Sequence, residues 1–229
     1  MADTRTREIS LRASFDRGSE EFGRVLAFSD GLFAIAMTLL VVAVTVPTLN
    51  DTSSVKELAD ALDDRTSEFV SFFISFAVIG RYWIAHHQFF GRLSAMDGGL
   101  IAINLVYLAF IAFLPFPTDL LGTYFENPLS VAIYAVNVAV VSGLEVVLFR
   151  RAHRQGLLRE RLPEEVYRWG VIQSASPVVF FLLSVPVAFA STGLAVAFWF
   201  LGIPFAIISE RWKPAGANRF FGPGTGSAE

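Results

Sequence analysis

Apolar residues gather in six long runs, approximately 25–47, 69–84, 98–117, 129–149, 171–190 and 193–208, with polar segments between them. A helix needs about 20 mostly apolar residues to cross roughly 30 Å of hydrocarbon. The pattern therefore predicts an all-α integral membrane protein with six transmembrane helices per subunit; its second and sixth runs are close to the shortest that can span. Proline punctuates the runs where helices should end or bend. Pro47 closes the first and Pro115 and Pro117 the third, while Pro177, Pro186 and Pro204 lie inside the last two and predict kinks that neighbouring helices can accommodate. The stretch before residue 25 is polar, and the first run is longer than a signal-peptide core, so no cleaved signal is read. Three parts follow: an N-terminal segment, 1–22; a six-helix membrane domain, 23–209; and a flexible tail, 210–229.

Composition agrees with lipid as the solvent: 54% of residues are hydrophobic and 17% charged, against roughly 25% charged in soluble domains. The net charge of −3 points to no nucleic-acid partner. Its distribution is more informative. Sixteen of the eighteen basic residues fall before the first run, from the inner end of the second (Arg81) to the third, between the fourth and fifth, or after the sixth; Lys56 and Arg65 are the exceptions. Positive charge marks the cytoplasmic side, which places both termini there. The opposite side is acidic (Asp51, Glu57, Asp60, Asp63, Asp64, Glu68), and its SSVKELADAL stretch reads as a short amphipathic helix capped by Ser53 or Ser54. These acids either attract cations or merely keep a loop solvated. Without cysteine there are no disulfides and no thiol chemistry.

An ionisable group at membrane depth costs about 2.5–3.5 kcal/mol even on the lenient insertion scale, so each needs a partner or a task. The cytoplasmic half of the first helix carries Arg24, Phe28, Ser29 and Asp30, followed by the uncharged GLFAIAMTLLVVAVTVP. Arg24 and Asp30 are about 240° apart on a helical wheel and cannot pair on their own helix. Candidate partners are Arg81, Tyr82, Trp83, His86 and His87 at the inner end of the second helix, Asn104 in the third, and Asn137 and Glu145 in the fourth. They either clasp the bundle or contact an ion. Further along, Gly31, Ile35, Thr38, Leu39, Val42 and Val46 recur at spacings of three and four and form one stripe, with Asp30 about 140° from Ile35. Such a stripe serves helix packing, lipid contact or a pore. The pair His86 and His87 lacks a third metal ligand and reads as hydrogen bonding, so no metal or other cofactor is expected. Glu145 reaches toward the interface, and the run from Arg150 reads as a topology anchor able to touch anionic lipid. TVGYG, an arginine ladder, HExxH, GxSxG and Walker A are absent from the sequence; no enzyme chemistry is indicated.

The RxxxFSD pattern of Arg24, Phe28, Ser29 and Asp30, together with WIAHHQFF from Trp83 to Phe90, resembles the signature of the transmembrane protein 175 family of endolysosomal potassium channels and their shorter prokaryotic relatives. The resemblance covers about 22–209. It implies a potassium-permeable channel in the cell membrane, a homotetramer with four first helices around the axis and a hydrophobic constriction on Ile35, with Leu39 and Val42 further along. Thr38 matches a layer that assists potassium preference. Val42 stands where the family often carries a bulkier aliphatic residue. Arg24, Phe28, Ser29 and Asp30 are then packing and positioning residues, with Trp83, His86, His87 and Asn104 as polar partners. The competing readings are a proton-coupled secondary transporter using Asp30 and His86/His87, disfavoured by the lack of an inverted repeat, and a non-transporting scaffold.

Overall fold

In the computed structural model, which describes residues 14–221, the six apolar runs form helices. Helix α1 (Glu20–Leu39) runs into a 3₁₀ turn (Leu40–Ala43); α2 (Val55–Asp63) follows, then α3 (Thr66–Gly91), α4 (Gly98–Phe113) and α5 (Pro115–Thr123). The chain continues as α6 (Pro128–Arg154), α7 (Glu164–Ala188), α8 (Thr192–Trp199), α9 (Gly202–Ser209) and a short α10 (Ala217–Phe221). Strands β1 (Ser14–Asp16) and β2 (Ala95–Asp97) pair antiparallel, Ser14 opposite Asp97. Arg5, Arg7, Arg12 and the tail beyond 221 lie outside the described residues. Six stretches among the described residues are long and apolar enough to cross a membrane: Glu20–Ala43, Thr66–Gly91, Gly98–Thr123, Pro128–Arg154, Glu164–Ala188 and Thr192–Trp212.

Several ends differ from the apolar pattern. The first helix stops at Ala43 instead of Pro47: Val41, Val42, Val44, Thr45 and Val46 are β-branched, and Pro47 biases its predecessor toward extended backbone. Pro115 and Pro117 do not close the third span. Pro115 opens α5 at a first-turn position, where its missing N–H costs nothing, so the span bends and continues to Thr123. Pro177 and Pro186 sit inside α7, whereas the sixth span breaks at Phe200 and Leu201, ahead of Pro204. Because α3 continues to Gly91, Arg81 lies inside the span, ten residues or about 15 Å from its end. Ser54 caps α2, its hydroxyl accepting from Glu57 N–H.

The core runs along α6, whose Val131, Tyr134, Val138 and Val141 are fully buried. Helices α4 and α7 pack on it, α8 packs on α7, and α1 lies across α3 and α4. Trp199 joins the sixth span to this core, stacking on Tyr134 and Phe181 and donating to Ser184 Oγ at 2.7 Å. Helices α3 and α5 approach closely at Gly122, where a Cβ would lie 2.7 Å from Ser71 Oγ and 3.1 Å from Glu68 Cα.

The basic end is tied together by β1–β2. Arg17 donates to the carbonyls of Phe90, Gly91 and Leu93, capping the last turn of α3. Asp97 accepts from Leu100 N–H at the start of α4 and takes two hydrogen bonds from Arg151 of α6, at 3.1 and 2.6 Å. A Cβ at Gly99 would overlap that guanidinium. Burial pushes the Asp97 carboxyl up, but Arg151 and the Leu100 N–H outweigh it and hold the group below its ordinary range. Such a carboxylate stabilises the fold above its unfolded pKa, near 3.9, and loses that contribution as pH falls through the lower folded value. Both side chains are less than a third exposed. Replacing Arg151 by Leu should therefore cost about 1–2 kcal/mol at pH 7. In thermal melts the gap from wild type should be full down to roughly pH 4 and narrow progressively below it; a gap that stays constant as pH falls from about 4 through the acid range would contradict the pairing.

Candidate conduction face and its polar support

Helix α1 starts at Ser19, whose hydroxyl accepts from Phe22 N–H at 3.2 Å, and buries Phe22, Ser29, Phe33 and Ala36 against α3 and α4. Leu40, at the start of the 3₁₀ turn, is buried as well. The opposite side is uncovered within the chain: Ile35 is 60%, Leu39 45% and Val42 70% exposed, and Gly31, one turn before Ile35, and Thr38 are exposed with them. The 3₁₀ turn matters here. Residues three apart eclipse in it, which sets Val42 directly above Leu39. Ile35, Leu39 and Val42 then stand at successive levels roughly 6 Å apart along the axis. Val46 lies beyond the helix. The Thr38 hydroxyl donates to Ile35 C=O at 2.8 Å. Its proton is thereby committed to the backbone, and its oxygen lone pairs remain for an acceptor role.

Behind this face the polar residues are brought together across three helices. Trp83 Nε1 of α3 donates to Asp30 at 3.0 Å. His86 Nε2 meets Asn104 Oδ1 of α4 at 2.9 Å, Asn104 Nδ2 donates to Ser29 Oγ at 3.1 Å, and the Ser29 hydroxyl donates to Val25 C=O. His86 is 4% exposed and enclosed by rings: it stacks on Phe90 and Tyr107 at 4.1 and 5.7 Å between centroids, with Phe33 at 5.4 Å. His87 is exposed and lies beside Trp83. The other candidate partners go elsewhere: Tyr82 bonds Ser142, Asn137 donates to Phe110 C=O, and Glu145 lines a cavity with Arg81. Among the described residues no group of three or more His, Asp or Glu is placed to hold a metal ion.

Two residues occupy positions that the wheel from Gly31 onward leaves out. Phe28 is 54% exposed and Arg24 is exposed; counted back from Ile35, both lie within about 20° of it. They extend the uncovered face toward the basic end, and Arg24 has no hydrogen bond or ion pair to the described residues of its own chain. On α3, Ser71 and Ser75 are further buried polar residues that the sequence candidates did not include, and they continue the side that carries Tyr82 and His86. Ser71, Ser75, Tyr82 and His86 share one side of the helix, with Ser75 bonded to Tyr134 and Thr118. Their spacing of four, seven and four is the signal that could have found them.

Comparison with known proteins gives the arrangement its context. The family described as endosomal/lysosomal potassium channel TMEM175 matches residues 24–115, from Arg24 through α4. A protein of Streptomyces collinus named as a potassium channel is 32% identical over 182 residues, covering 77% of this chain and 87% of its own. Human TMEM175, named as an endosomal/lysosomal proton channel, is 34% identical over 110 residues, 46% of this chain and 22% of that one. The crystal structure of a lysosomal potassium-selective channel TMEM175 homolog from Chamaesiphon minutus superposes with a TM-score of 0.71 at 29% identity, over 83% of this chain and 99% of that one. With the sequence likeness running through most of both bacterial chains and the fold shared, this six-span protein belongs to the TMEM175 family.

Proposed function

We propose that the protein is a potassium-permeable cation channel in which four copies place their first helices around a central axis. The observation that carries this reading is the stripe of Ile35, Thr38, Leu39 and Val42, left uncovered by its own subunit on a segment with no charged residue from Gly31 to Asn50. The names of the bacterial relatives support potassium as the permeant ion. Arg24, without a partner in its own chain's described residues, supports a contact between subunits. The basic end lies in the cytoplasm, with both termini, and the protein is a multi-pass component of the cell membrane.

In the assembled channel a narrow ring of Ile35 side chains forms the constriction, and Leu39 and Val42 extend it outward. Apolar side chains cannot replace lost hydration, so the barrier follows the cost of removing water, which is smaller for K⁺ than for Na⁺. Thr38 oxygens recover part of that loss. Selectivity is modest because the ring itself coordinates no ion. The carrier reading fares less well: His86, one of its proposed proton sites, is closed in by Phe33, Phe90 and Tyr107. Planar-bilayer recording of the purified protein in asymmetric KCl and NaCl separates the readings. Discrete unitary currents with a reversal potential displaced toward the K⁺ equilibrium value are expected; flux without unitary steps would indicate a carrier, and no flux a scaffold.

A further inference from the structure

Away from the uncovered face of α1, a cavity of about 490 Å³ opens near the basic end of the bundle, between α3, α6, α7 and the connection that follows α6. Ile84, Phe149 and Leu162 supply apolar wall, while Arg81, Arg92 and Arg159 bring positive charge to it and Glu145, Glu160 and Glu210 negative. Arg81 is exposed along α3 about 15 Å from that helix's end, and Glu145 is within its electrostatic reach. Glu210, also on the lining, is already paired with Lys213 at 2.9 Å.

Arg159 is different. Its backbone N–H donates to Arg92 C=O at 2.9 Å, which fastens the connection to the end of α3, while its side chain is exposed. The fastening brings it toward Arg17, whose guanidinium is committed to the carbonyls at the end of α3. Burial, and next the Arg159 charge, lower the proton affinity of Arg17. Backbone structure therefore holds two like charges together where a spanning helix leaves the hydrocarbon. An anion would relieve this repulsion, and the adjoining apolar wall suits a hydrocarbon chain.

We propose that this cavity is a binding site for an anionic phospholipid of the leaflet at the basic end, its phosphate held by Arg159 at the mouth and an acyl chain lying along Ile84, Phe149 and Leu162. The lipid bridges the end of α3 to the connection before α7. The proposal does not depend on ion conduction, and its test reads lipid directly. Purified protein is incubated with phosphatidylglycerol, with phosphatidylcholine, or with inorganic phosphate alone, and bound species are counted by native mass spectrometry. Wild type should retain phosphatidylglycerol in preference to phosphatidylcholine. Arg159→Glu should lower that retention about fivefold or more, the effect expected of one basic group at an anionic surface, and Arg159→Gln, which keeps the backbone tie without charge reversal, should lower it by less. Equal retention of the two lipids, or retention unchanged in both variants, overturns the site. Inorganic phosphate displacing phosphatidylglycerol at millimolar concentration also overturns it, because the acyl chain would then contribute nothing.

Discussion

Ile35→Asn should abolish most of the preference for K⁺ over Na⁺ while raising conductance. In the proposed ring an ion gives up water at Ile35 and the isoleucine side chains coordinate nothing in its place, so the ion that dehydrates more cheaply would be favoured. Four asparagine carboxamides would offer oxygen ligands to either ion and let water through the constriction, and both effects narrow the difference between the two barriers. The readout is the bi-ionic reversal potential. A tenfold preference is about 1.4 kcal/mol, and a unit charge moved through 100 mV is about 2.3 kcal/mol, so it would appear as roughly 60 mV. Ile35→Asn should bring that potential close to zero. Ile35→Val, which retains an apolar ring, should keep its sign. Unchanged preference in Ile35→Asn would remove Ile35 from the constriction and return the stripe to lipid contact or packing.

The stripe was legible in the sequence because twenty uncharged residues after Asp30 leave periodicity as the main signal, and a helix of that length has few alternatives in a bilayer. Its outer end was not. Helical spacing alone carries it on to Val46, but the β-branched run tightens the backbone to 3₁₀ at Leu40 and ends the helix at Ala43. The same difference explains α3. An apolar window stops at Ile84, yet backbone hydrogen bonding continues through His86 and His87 to Gly91, because a helix end is set by its caps and not by hydropathy alone. This moves Arg81 from an interfacial position to one inside the span. Strands of three residues, β1 and β2, have no periodic signature, so the clasp of Arg17, Asp97 and Arg151 emerged only with the fold. Trp83, His86 and Asn104 were recoverable as polar residues at depth. Which of them meets Asp30 and which meets Ser29 depends on how α3 and α4 rotate about their axes, and no single-helix wheel contains that.

Asn104→Leu should destabilise the protein more than any other single change in the polar support, and for a reason that separates it from Ser29→Ala. Asn104 is 1% exposed and stands between two buried groups, His86 and Ser29. An amide oxygen only accepts, so its bond to His86 places the hydrogen on Nε2; leucine would leave that N–H buried among Phe33, Phe90 and Tyr107 with no acceptor. An orphaned buried donor costs about 1–3 kcal/mol, although hydrogen bonds measured between membrane helices average nearer 0.6. A cost of about 1–2 kcal/mol per chain follows, repeated in every copy of the proposed tetramer. Ser29→Ala should cost less, because the serine hydroxyl already donates to Val25 C=O and leaves with its own donor; only the Asn104 amide then loses a partner. Thermal melting of the purified proteins should therefore rank wild type above Ser29→Ala and Ser29→Ala above Asn104→Leu. Any Asn104→Leu protein that assembles should keep its K⁺ preference, since Asn104 lies on the packed side of α1. The reverse ranking, or a preference lost with assembly intact, would place Asn104 at the ion path instead of behind it.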